Sequence, residues 1–102
     1  MALPEILKRI RPVHIPMIWE MLHHHFGFAI KPWQEKFEKE FKLQPRGVEQ
    51  VEFMLVFGVR HINPVLNKIL GRPEEYSSFL LMVGGLIFPQ KTPQKALKVK
   101  LK

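Results

Sequence analysis

No cysteine and no aspartate occur in this 102-residue chain, and hydroxyl side chains are reduced to Ser77, Ser78, Thr92 and the single tyrosine, Tyr76. The first absence removes disulfides, thiolate metal ligands and thiol nucleophiles together. The second, with so few hydroxyls, leaves few residues that cap helices and few oxygen nucleophiles. The shortage of small polar residues is in keeping with a thermophilic source. Long apolar runs are missing as well. A bilayer span needs about 18–20 uncharged apolar residues, and "FMLVFGV" and "FLLMVGGLIF" are far shorter. The opening "MALPEILKRIRP" carries Pro4 and Glu5 and lacks a following apolar run with a cleavage site, so it does not read as a secretory signal. No membrane span and a cytoplasmic or virion-internal location are expected.

Hydrophobic residues make up 46% of the chain, eight phenylalanines and two tryptophans among them, so a packed core is possible and global disorder is not expected. A chain of this length forms one domain and buries roughly 65% of its unfolded surface. Proline divides it. "LPEILKRIRP" reads as a short helix with Pro4 in its first turn and Ile6, Leu7 and Ile10 on one face, stopped by Pro12. "IPMIWEMLHHHF" is a second helix ending near Gly27. In "KPWQEKFEKEFKL", Trp33, Phe37 and Phe41 fall at i, i+4 and i+8 on one face, with Lys36 and Lys39 on another. "GVEQVEFMLVFGVRHI" becomes apolar on all sides, as a central buried helix does. In "NPVLNKILG", Asn63 is placed to cap a helix that Pro64 begins and Gly71 ends. "RPEEYSSFLLMV" sets Glu74 and Glu75 at the positive end of a further helix, which Gly84-Gly85 breaks. The class is all-α: a compact bundle of five or six short helices over residues 1–90, then a basic, flexible C-terminal tail, 91–102.

The net charge of +7 is unevenly placed. The final "KTPQKALKVKLK" holds five lysines (Lys91, Lys95, Lys98, Lys100 and Lys102) and no acid, leaving only +2 for the body. A lysine arm on a folded body suits phosphate backbones, through counterion release and without base readout. A solubilising terminus, an anionic membrane surface, or a strand added to a partner's sheet are other uses of such a tail.

The stretch "FEKEFKLQPRGVEQVEF" has the apolar spacing of a helix-turn-helix DNA reader, with Phe37, Phe41, Leu43, Val48 and Val51 in holding positions. Its second helix argues against that use. It offers Glu49, Gln50 and Glu52 and then turns apolar, so glutamates would face phosphates and the rest belongs inside the protein. A plain corner between two helices is the expectation, with Lys31, Lys36, Lys39, Lys42 and Arg46 the better surface for phosphate.

"EMLHHHF" invites a metal reading. Glu20, His23 and His24 lie near one face, but a further ligand must come from elsewhere, and the remaining histidines are His14 and His61. His25 is expected to turn towards Met21 and Leu22, partly buried. Haem ligation by a histidine with Met17 or Met21 has no attachment motif behind it. No metal and no cofactor are therefore assigned. Ser77, Ser78 and Tyr76 have no evident base beside them, and Gly84-Gly85 lacks the spacing and lysine of a phosphate loop. No catalytic residues are assigned, and an enzyme is not expected.

The second half carries more apolar surface than a small domain readily encloses, which points to self-association. Phe53, Phe57, Phe79, Met82, Leu86 and Phe88 are the expected oligomer interface. The functional expectation is a nucleic-acid-binding subunit without sequence preference, of DNA or RNA: a nucleoprotein, scaffold or capsid-type structural protein. A homo-oligomer or membership of a larger assembly goes with it. The alternatives are an adaptor binding proteins alone and a histidine-based metal- or haem-binding protein.

Overall fold

Proline and glycine divide the chain largely where the sequence places its breaks. The computed structural model describes residues 3–88, and among these the regular structure is all helical. Helix α1 spans Leu3–Arg9 and buries Ile6, while Leu7 stays exposed. Helix α2 spans His14–Phe26. It has no hydroxyl or carboxylate cap. His14 Nδ1 reaches back and accepts the Arg11 backbone N–H at 2.9 Å, which ties down the residues leading into the helix. Helix α3 spans Ile30–Lys42 and turns its aromatic stripe inward. Helices α4 (Gln50–Phe57) and α5 (Asn63–Leu70) are joined by a π-helical turn, Gly58–Ile62, and α6 spans Ser78–Ile87. Helix α6 packs on α1, α2 and α5, and α3 packs on α2 and α4.

Three local expectations are corrected. Asn63 does not begin a separate helix, because the chain runs from Gln50 to Leu70 without leaving helical geometry. Pro64 has no N–H to offer the Arg60 carbonyl, and its ring crowds that group. Widening the preceding turn relieves the crowding, and the Asn63 N–H reaches Gly58 O, five residues back. The next helix starts at Ser78, well after Glu74 and Glu75, and it continues through Gly84 and Gly85 to Ile87.

The late start of α6 follows from two asparagine amides one turn apart on α5. Asn63 Nδ2 donates to the Tyr76 carbonyl at 2.8 Å, and its Oδ1 accepts the Phe79 N–H at 2.8 Å, so Asn63 caps α6 across the fold. Asn67, 3% exposed, donates to the carbonyls of Glu74 and Tyr76 and accepts from the Ser78 hydroxyl. These bonds hold residues 74–76 in a turn. The approach is set by Gly71, which ends α5 at φ 66° while the Arg72 N–H returns to Asn67 O at 2.8 Å.

The core is aromatic. The Phe57 ring lies within 6.5 Å, centroid to centroid, of Trp19, Trp33, Phe37 and Phe53, drawing α2, α3 and α4 together. On its other side the π turn brings Gly58 under the ring of Phe79, in space where a β-carbon would overlap that ring. Gly58→Ala is therefore expected to lower stability by about 1–3 kcal/mol through overpacking, measured as a shift in the urea midpoint. An unchanged midpoint would mean that Phe79 is free to move aside.

Candidate nucleic-acid interface

The basic surface is built on α3, whose rotation is fixed from inside. The Trp33 ring sits 5.3 Å from Phe28, and Phe37 and Phe41 sit 5.4 and 5.7 Å from Phe53. With that stripe turned inward, the helical period carries Lys31, Lys36, Lys39 and Lys42 outward, and all four are exposed. They extend over about 16 Å of helix axis at 1.5 Å per residue. Arg46, in the corner that follows, is exposed as well. The Lys36 ammonium lies 5.9 Å from the Trp33 ring centroid.

Three glutamates share α3 with these lysines, and the structure separates them. Glu35 and Glu38 are exposed and offset part of the positive charge. Glu40 turns away from that surface. Its carboxylate accepts a hydrogen bond from His61 Nε2–H at 3.0 Å, and the His61 ring packs 5.0 Å from Phe57. The sequence alone does not reveal this pair, since the π turn decides where residue 61 points.

Burial limits what the second helix of the corner can present. In α4, Val51, Phe53, Met54, Leu55 and Phe57 are buried, and the exposed positions are Gln50, Glu52 and Val56. Within α4 that surface offers one amide, one carboxylate and one valine, a poor set for base edges. The five tail lysines, Lys91, Lys95, Lys98, Lys100 and Lys102, lie outside the described residues.

The His23 and His24 rings pack edge to face, 4.9 Å apart. His23 Nδ1–H donates to the Phe28 carbonyl at 2.9 Å, helping to close the end of α2. His25 is exposed, against the expectation of partial burial, because Leu22 and Phe26 supply the inward positions of that turn. Glu20, His24 and His25 line a cavity of about 400 Å³ with Met17, Met21 and Leu86. No group of three or more histidine and carboxylate residues is arranged to hold a metal ion among the described residues. Ser78, one of the two serines, is buried and engaged with Asn67 and Arg72.

Three residues of the expected oligomer interface lie in the core. Phe53, Phe57 and Phe79 are at most 2% exposed within a single chain, where they form the core around Trp19 and Phe37. They have no surface left for another protomer. Met82, Leu86 and Phe88 are half-buried against the same core. Met82 and Leu86 line, with Leu70 and Leu81, one open groove of about 380 Å³, and a second, of about 360 Å³, runs between α1 and the α4–π segment. The second is lined by Leu3, Leu7, Glu52, Leu55, Val56, Val59 and Arg60. A helix apolar on all sides gives no sign of which side stays uncovered, so this second groove is not legible from the sequence. No helix among the described residues is long and apolar enough to cross a membrane.

The Glu40 and His61 side chains are 28% and 23% exposed, so solvent screens their pairing. A double-mutant cycle of Glu40→Gln and His61→Ala in urea unfolding should give a coupling of about 0.2–1 kcal/mol. A coupling near zero would mean that the pair does not hold α3 to the π turn.

Comparison with protein-family models matches no family to the chain, and comparisons with curated proteins and with solved structures return no match, so its function is argued from its own residues.

Proposed function

We propose that this chain is a non-enzymatic, self-associating nucleic-acid-binding subunit that contacts the phosphate backbone of DNA or RNA without reading sequence. The observation that carries the proposal is the outer face of α3, where Lys31, Lys36, Lys39 and Lys42 are all exposed and Arg46 extends the surface at the corner. Lysines on a helix fixed by its buried aromatic face neutralise phosphates and release counterions, which supplies affinity independent of base identity. Retention of Glu40 by His61 supports the same use, because it removes one acid from competition with phosphate. Burial of most of α4 supports binding without base readout, since that helix keeps few side chains for base edges. The lysines of residues 91–102 would add contacts of the same kind. A nucleoprotein, scaffold or capsid-type component, in the cytoplasm or inside a virion, needs these properties.

A second reading is favoured by the groove between α1 and α4. An apolar surface with a charged residue at either end suits a protein partner, so an adaptor that binds protein alone would also use it.

Titration of random-sequence duplex DNA at several salt concentrations tests the proposal. Five phosphate contacts from α3 and the corner correspond to a log–log salt slope of about −4.5. The variant Lys36→Gln/Lys39→Gln/Lys42→Gln should bind more weakly, with a slope shallower by about 3. Scrambling the duplex sequence should leave affinity unchanged. An unaltered slope in the variant, or a marked sequence preference, would contradict it.

A further inference from the structure

The exposed side of the α4–π segment has a symmetric charge pattern. Glu52 and Arg60 stand four residues to either side of Val56, and all three line the groove that Leu3, Leu7 and Val59 complete. Val56 is 47% exposed and Val59 45%, with Leu3 and Leu7 close behind at 40% and 41%. Four large apolar side chains left this open along one groove form a patch, where scattered single residues would need no explanation.

The order acid, apolar, base along one helix is self-complementary under a two-fold rotation. Lay a second copy of the helix antiparallel on the first, with the axis beside Val56. Glu52 then meets Arg60 of the other copy, Arg60 meets its Glu52, and the two Val56 side chains meet at the centre. An isologous interface requires this relation, in which residue i touches j and j touches i. A partner of unrelated sequence would have to supply both opposite charges independently, whereas a second copy supplies them by symmetry. A parallel arrangement would set Glu52 against Glu52 and Arg60 against Arg60, which like-charge repulsion disfavours.

We infer that the chain forms a two-fold symmetric homodimer through this groove, with the α4–π segments antiparallel, Val56 at the axis, and Glu52 of each copy paired with Arg60 of the other. The inference rests on the self-association included in the proposed function and is independent of nucleic-acid binding. Measurement without any polymer therefore separates failure of the dimer from failure of phosphate binding. The surface is distinct from the outer face of α3, so pairing leaves Lys31, Lys36, Lys39 and Lys42 uncovered on each copy. Two such faces joined in one particle raise avidity for a long polymer by effective concentration, with no new contact to it.

Charge reversal tests the cross-pairing directly, by sedimentation velocity of the full chain over a range of concentrations. Wild-type protein should sediment as a concentration-dependent dimer. Glu52→Arg alone sets arginine against arginine across the axis, and Arg60→Glu alone sets glutamate against glutamate. Each should weaken the dimer by about tenfold or more, with helical content by circular dichroism unchanged because both positions are exposed. The double variant Glu52→Arg/Arg60→Glu should recover dimerisation. The sharper result comes from mixing the two single variants. Both contacts across the axis then join an arginine of one variant to a glutamate of the other, and a heterodimer should form. Val56→Lys should abolish association in the wild-type and double-variant backgrounds alike. A wild-type chain that stays monomeric at every concentration overturns the inference and leaves the groove to a partner of different sequence. Single reversals that leave the dimer unaffected, or that fail to associate when mixed, overturn the antiparallel Glu52–Arg60 pairing.

Discussion

The fold turns on a proline placed inside a helix. Pro64 has no N–H to give, and the chain accommodates it by widening one turn into π geometry without breaking the run from Gln50 to Leu70. Several features follow from that one accommodation. Gly58 comes under the Phe79 ring, which locks α6 against the central helix. Asn63 and Asn67 acquire the direction needed to fix the Tyr76 carbonyl and the first turn of α6. His61 is carried round to meet Glu40 on α3. Every buried side-chain polar atom among the described residues has a partner, so this asparagine and serine network stabilises the junction without an unsatisfied group.

The central helix also links the two surfaces on which the proposed function rests. Its inward side presents Phe53 and Phe57 to Phe37, Phe41 and Trp33, and those contacts decide which side of α3 faces water. Its outward side carries Glu52, Val56 and Arg60. One helix therefore holds a basic face in position through its aromatic residues and offers an apolar, charge-balanced face through the rest. Lysine ends mounted on a fixed backbone lose less freedom on binding phosphate than those on a loose one.

Much of the architecture is legible in the sequence because proline, glycine and helical spacing act locally. Pro4 and Pro12 bracket α1, Gly71 ends α5, and the Trp33–Phe37–Phe41 spacing points its stripe inward. The outward lysines of α3 follow from the same period. What the sequence hides is non-local. Asn63 has the local chemistry of a cap for its own helix, and only the fold shows that it caps α6. Gly84-Gly85 reads as a breaker, yet both glycines lie within α6, where tertiary packing outweighs weak intrinsic preference. The apolar central helix reveals its composition and not its orientation, so the pattern offers core phenylalanines as an interface and does not single out Val56 and Val59. The excess of apolar residues does correspond to exposed surface, though at other positions than those phenylalanines.

The most direct test of the central claim is lysine acetylation footprinting of the full chain with and without saturating random-sequence nucleic acid at low salt. Lys31, Lys36, Lys39 and Lys42 should become protected together, while Lys68, on α5, stays as reactive as in the free protein. Equal reactivity of the α3 lysines in the bound and free states would contradict the assignment of this face to phosphate.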